Sequence, residues 1–103
     1  MNQGEKTLDD PNGSYEKKAE IHKALGHPVR LEIALALAEK PWCVCDLAQE
    51  LGLRQPYLSQ QLAYLRRAGI IHGEKEGLHV KCNLELRGIE ILLEILNKMD
   101  LNQ

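Results

Sequence analysis

Apolar residues recur along this chain at two spacings. Between Val44 and Gly69 the spacing is helical, first at Leu47, Ala48 and Leu51 and then at Leu58, Leu62 and Leu65. The first set puts one face of a short helix against a neighbour, and Gly52 supplies the residue type that ends such a helix. Arg54 and Gln55 fill a turn. Pro56 suits the opening turn of the next helix, where a missing N–H costs little. Gly69 ends that second helix. A short packing helix, a tight turn and a longer helix with one free face is helix-turn-helix spacing. After it the pattern changes. Ile70–Lys75 and Leu78–Asn83 predict two short strands around Glu76-Gly77, a β-hairpin.

The flanking segments complete the pattern. Residues 1–14 are polar, with a Pro-Asn-Gly turn and no apolar period, which predicts a disordered tail before a single domain over residues 15–103. Ser14 is placed to cap a helix over Tyr15–Leu25, ended by Gly26. A second helix begins at Pro28 and stops at Lys40-Pro41. It has little polar face, so it is the expected central helix. Trp42-Cys43 reads as an extended connection. A last helix is expected from Leu84 or Glu85 to Met99. Leu86, Ile89, Leu93 and Leu96 form one stripe on it, and Ile91, Leu92 and Ile95 form a second apolar surface beside that stripe. One stripe satisfies a small core. The second surface predicts a burial partner, which a symmetric dimer supplies. The fold class is therefore mainly α with a small β-wing, a dimeric winged helix-turn-helix of five helices plus a hairpin.

The free face of the longer helix carries candidate chemistry. With Leu58, Leu62 and Leu65 turned inward, about 100° per residue puts Pro56, Gln60, Ala63 and Arg67 opposite them. Ser59 and Tyr64 flank this row, and the helix contains no acid. The candidate DNA-binding residues are Gln55, Tyr57, Ser59, Gln60, Gln61, Tyr64, Arg66 and Arg67, with Lys75 and His79 from the wing. Gln60 and Ser59 suit base edges, and Arg66, Arg67 and Lys75 suit phosphates. His72 also flanks the wing.

Charge supports this reading only after it is divided. The 103 residues carry a formal net charge of −2. Residues 54–82 hold five cations against two acids, a net of +3, so the remainder carries −5. A basic face on an acidic body is the footprint of nucleic-acid binding. The core must be built from Leu, Ile, Val and Ala, because Phe is absent. With no signal peptide or long apolar run, neither secretion nor a membrane partner is expected. Three cysteines, an odd number, argue against a secreted disulfide scaffold and for the cytoplasm. No nucleophile–base pair or Gly-rich phosphate loop supports an enzyme.

The thiols are the remaining chemistry. Cys43 and Cys45 stand at a helix start, where the macrodipole favours thiolate. A regular helix turns residues two apart by about 200°, so the pair shares an ion only where the helix start is irregular. Soft thiolates select soft ions, and a third donor is needed. Cys82 is the candidate, provided that Trp42-Cys43 pairs with the returning wing strand. The alternative for Cys82 is a small buried apolar residue. A redox or persulfide switch competes with ion binding, and a protein-docking winged helix without DNA competes with both.

Leu25-Gly26-His27-Pro28-Val29-Arg30-Leu31, Trp42-Cys43-Val44-Cys45-Asp46-Leu47-Ala48, Leu58-Ser59-Gln60-Gln61-Leu62 and Leu65-Arg66-Arg67-Ala68-Gly69-Ile70-Ile71 together resemble the ArsR/SmtB family of bacterial metalloregulators. The resemblance runs from about Ile21 to Leu84. It implies a homodimeric repressor whose first and last helices form the interface, seated on inverted-repeat operator DNA and released by an inducer. The Cys43–Leu47 segment is similar to the branch that senses arsenite, cadmium or lead, which implies Cys43 and Cys45, with Cys82, as metal ligands. The sequence departs from the family in four places. Ala48 stands where the arsenic-sensing version often has another Cys, and Leu78 where the wing usually has a base. The last helix lacks the Asp/His and His/Glu pairs of the zinc site, and Arg54 stands where a Ser-like cap is common.

Overall fold

The computed structural model describes residues 14–102. The tail expected over residues 1–14 therefore lies, apart from Ser14, outside the described residues. The elements are α1 (Tyr15–Leu25), α2 (Pro28–Glu39), β1 (Trp42–Cys43), α3 (Val44–Leu51), α4 (Gln55–Arg67), β2 (Ile71–Glu76), β3 (His79–Leu84) and α5 (Ile89–Lys98). The three strands form an antiparallel sheet in the order β1-β3-β2. This is a winged helix-turn-helix.

Local chemistry explains most boundaries. The Ser14 hydroxyl accepts the Lys17 N–H at 3.1 Å and caps α1. His27 caps α2 in the same way, its Nδ1 accepting from the Val29 N–H at 3.1 Å. Pro28 sits at the start of α2, where it displaces no hydrogen bond. Lys40 is extended before Pro41, as the proline ring requires. Gly52, at φ 67°, reverses the chain after α3 and lets the Leu53 N–H return to the Ala48 carbonyl at 2.9 Å. The end of α4 closes similarly, with Ile70 N–H on the Leu65 carbonyl at 3.0 Å.

Two expectations are corrected. The last helix starts at Ile89, not at Leu84 or Glu85. Leu84 is still in the sheet, paired with Ile71, and the Glu85 and Leu86 N–H groups both turn to the Ile70 carbonyl. Gly88 then takes φ 85°, which an α-helix does not accommodate, so the helix begins one residue later. The wing strands are each displaced one residue toward the C-terminus. Glu76 and His79 form the last pair, so the turn residues are Gly77-Leu78 instead of Glu76-Gly77.

The core gathers the inward stripes. Leu58, Leu62 and Leu65 of α4 are buried with Leu47 and Ala48 of α3, and with Ile33, Ala34 and Leu37 of α2. Full burial of each leucine is worth about 1.5–3 kcal/mol. α2 is central, packing on α1, α4, α5 and β3. Trp42 fastens β1 to it by donating its indole N–H to the Ala36 carbonyl at 3.1 Å. On α5, Ile89 and Leu93 are buried, while Ile91 and Ile95 remain 62% and 57% exposed.

Candidate nucleic-acid interface and its thiols

α4 opens with Arg54 as N-cap, whose side chain makes no capping bond, and contains no carboxylate. The positive end of the helix dipole therefore faces out uncompensated, an arrangement suited to phosphate. Gln55, Tyr57, Ser59, Gln60, Arg66 and Arg67 are exposed along the helix.

The two flanks of α4 are different places. Toward the wing, Gln55, Ser59 and Arg66 line a groove of about 270 Å³, closed on its other sides by Cys45 and by Leu78 and His79 of the wing. Toward α1, Tyr64 and Arg67 line a wider groove of about 1080 Å³ with Lys17, Lys18, Glu20 and Arg87. Adjacent arginines thus serve opposite sides of one helix. Among the wing candidates, Lys75 and His79 are exposed. His72 is instead engaged at the base of the wing, its Nδ1 2.7 Å from Glu85 and its Nε2 3.8 Å from Glu74. Lys81 lies 3.9 Å from Glu76. Leu78 stands at the wing tip, 99% exposed.

Gln61 and Tyr64 turn away from the open face. Both are half-buried and both meet Arg30 of α2. Arg30 Nη1 donates to Gln61 Oε1 at 3.0 Å, its Nε donates to the Ala24 carbonyl at 2.6 Å, and its guanidinium lies 3.9 Å from the centre of the Tyr64 ring. Arg67 approaches the same ring at 5.7 Å. Sequence reasoning did not bring Arg30 to this helix. The available signal was the single cation of a helix rich in apolar residues, close to its start and beside Val29 and Leu31.

The thiols occupy three environments. Trp42 pairs with Cys82 and Cys43 with Lys81, the strand pairing that a third thiol requires. Cys43 is half-buried at the N-cap of α3, Cys45 is exposed in its first turn, and Cys82 is buried in the sheet. The Cys45 sulfur lies 3.9 Å from Asp46 Oδ1. Burial raises the Cys82 pKa, opposed by the charge of Arg66 and reinforced by Cys43. Among the described residues, no three or more of His, Cys, Asp or Glu are arranged to hold an ion. The donors are chemically suited to a soft ion, but they do not converge in this fold. Among the same residues, no helix is long and apolar enough to cross a membrane.

The profile of the bacterial regulatory proteins of the arsR family matches residues 27–72. An HTH-type transcriptional regulator of Methanocaldococcus jannaschii, itself uncharacterized, is 50% identical over 64 residues, 61% of this chain and 72% of that protein. The chain belongs to the arsR family of bacterial regulatory proteins.

The biofilm growth-associated repressor of Xylella fastidiosa is 42% identical over 65 residues, 63% of this chain and 57% of that protein. Reduced HlyU from Vibrio cholerae superposes with a TM-score of 0.78 at 32% identity, over 82% of this chain and 88% of that one. This ArsR-family protein is a DNA-binding transcriptional repressor and not an enzyme. The reading as a protein-docking winged helix without DNA is set aside.

Proposed function

We propose that this ArsR-family repressor binds an inverted-repeat operator as a two-fold homodimer, and that a soft thiophilic ion at Cys43 and Cys45 releases it. The observation that carries the proposal is the position of Cys45, which lines the same groove as Gln55, Ser59, Arg66 and His79. Chemistry at this thiol is chemistry beside the DNA-reading helix. The exposed apolar row Ile91, Ile95 and Met99 on and after α5 supports the dimer. Arsenite, cadmium and lead are the inducers that thiolate donors favour. Cys43 is the extended N-cap of α3 and Cys45 lies in its first turn, so joint engagement of the two thiols would act on that turn. Leu47 of that helix packs in one core with Leu58 and Leu62, and so passes the disturbance to α4. Release follows only where the ion prefers the DNA-incompetent arrangement, and a coupling of about 1–3 kcal/mol is expected.

The test is anisotropy of reduced protein on DNA from its own upstream region, with and without each ion, with sedimentation of the same samples reading the dimer. Cys43→Ser and Cys45→Ser keep DNA binding and lose induction. Cys82→Ser loses induction only where Cys82 is the third ligand. Equal thiolate-to-metal absorbance in the Cys43→Ser/Cys45→Ser double variant and the wild type would sink the ion site.

One observation favours a second reading. A solved relative is described as reduced HlyU, which makes oxidation state relevant to that protein. Here a peroxide would convert two thiols to a disulfide with formation of two waters. Release by peroxide, reversed by dithiothreitol and indifferent to ions, selects that reading.

A further inference from the structure

We infer that Arg30 is the positioning residue of the recognition helix, and that Gln61 and Tyr64 serve it as anchors instead of touching bases. The inference rests on the reading that α4 enters the DNA groove.

The last carbonyls of a helix have no partner within that helix. In α1 one of them, on Ala24, is taken by Arg30 Nε at 2.6 Å. A guanidinium at the negative end of the helix dipole is favourable as well as hydrogen-bonded. The same planar group reaches α4 through Gln61 Oε1 at 3.0 Å and stacks 3.9 Å from the Tyr64 ring centre. Gln61 and Tyr64 are separated by three positions, so they lie on one side of α4. Two neighbouring side chains of α4 are therefore held by one rigid fork, which is itself fixed to α1 and rooted in α2. Tyr64 carries Arg67 on its ring at 5.7 Å, which continues the column outward.

A fork of this kind constrains rotation of α4 about its own axis, because Gln61 and Tyr64 cannot turn without breaking a bond or a stack. Rotation is the freedom that base reading must remove, since Ser59 and Gln60 face the bases only over a narrow range of angle. Lysine cannot replace arginine here. A point charge on a flexible stem does not span two acceptors while lying flat on a ring.

The test uses the full chain and a duplex selected from a random pool by the wild-type protein, compared with a scrambled duplex of equal length. Anisotropy gives the ratio of the two affinities. Circular dichroism and sedimentation verify helicity and assembly. Arg30→Met is expected to lower the ratio roughly tenfold, about the discrimination of one good base contact, while affinity for the scrambled duplex and its salt slope stay unchanged. Arg30→Lys is expected to give no rescue. Gln61→Leu is expected to reproduce the loss even where Arg30→Met is poorly folded. The double variant is expected to lose no more than Arg30→Met alone, because the Gln61 contact is already absent in that variant.

An unchanged ratio in Gln61→Leu overturns the inference. So does an equal fall on both duplexes, which marks a general structural role. Additive losses also overturn it, because Gln61 would then read DNA independently. Failure of the wild-type protein to select any duplex removes the DNA-reading helix itself, an outcome distinct from the other three.

Discussion

On the α1 side of α4, Arg30, Tyr64 and Arg67 stack in a column tied by hydrogen bonds to Ala24 and Gln61. On the wing side, Arg66 faces an open groove shared with Cys45, Leu78 and His79. One helix therefore has a fastened flank and an open flank. The fastened flank holds the reading angle, since Arg30, Gln61 and Tyr64 are used up by one another, while Arg67 at its outer end stays exposed. The open flank has polar groups and a thiol still facing solvent, and it is where the proposed function puts both DNA and an inducer. A single helical step between Arg66 and Arg67 is enough to send similar side chains to these different duties.

The largest expected effect removes what both flanks share. Leu62 is buried on the inner face of α4 and also forms part of the wing-side groove. Leu62→Ala should cost about 2–5 kcal/mol in urea unfolding, with DNA binding reduced through the folded fraction. A cost below 1 kcal/mol would mean that α4 is not seated on this core.

A smaller change probes the open face between the flanks. Gln60→Ala should relax base preference at one operator position by about 1–3 kcal/mol in competition binding. Unchanged operator preference would remove Gln60 from base reading.

The two arginines compare the flanks directly. Arg66→Ala and Arg67→Ala should each weaken all sequences alike and flatten the salt slope by about 0.9, one phosphate contact apiece. A change confined to Arg66→Ala would place the phosphate backbone on the wing side alone.

The smallest effect concerns the thiols. Cys82 is held neutral by burial, its folded pKa lying above the usual 9.0. The unfolded chain loses that proton first, so this contribution to stability is complete below pH 9.0 and declines as pH rises toward the folded pKa. Arg66 partly opposes the shift, so Arg66→Ala should raise the folded pKa further and deepen the alkaline loss. Iodoacetamide with mass spectrometry should label Cys45 first and Cys82 last, following their exposure. Early labelling of Cys82 would contradict its burial.

Much of the fold was legible because its signals are local. The stripe Leu58, Leu62 and Leu65 buries as its spacing requires, and Gly52 ends α3 where a left-handed residue was needed. The pairing of β1 with β3 could be anticipated from the order of the elements. The start of α5 was less legible, because apolar spacing continues from Leu86 while the backbone is held by Ile70 and turned by Gly88. For the site, the exposed polar row of α4 followed from helical angle. Tyr64 flanks that row and Gln61 is a DNA-binding candidate on the same helix, but angle alone does not reveal which neighbour claims a side chain.

What the sequence by itself determined is the set of elements, the inward face of each helix, and the polarity of the face left over. Periods of 3.6 and 2 are properties of the chain, and a residue's side of its own helix follows from them. What only the tertiary structure decided is which of those residues meet. Arg30 and Gln61 are 31 positions apart, and no local pattern brings a guanidinium to that amide. The same holds for the burial of Cys82 in the sheet while Cys45 stays open beside the wing. Such contacts are set by how the helices pack on one another, and packing is a property of the assembled core.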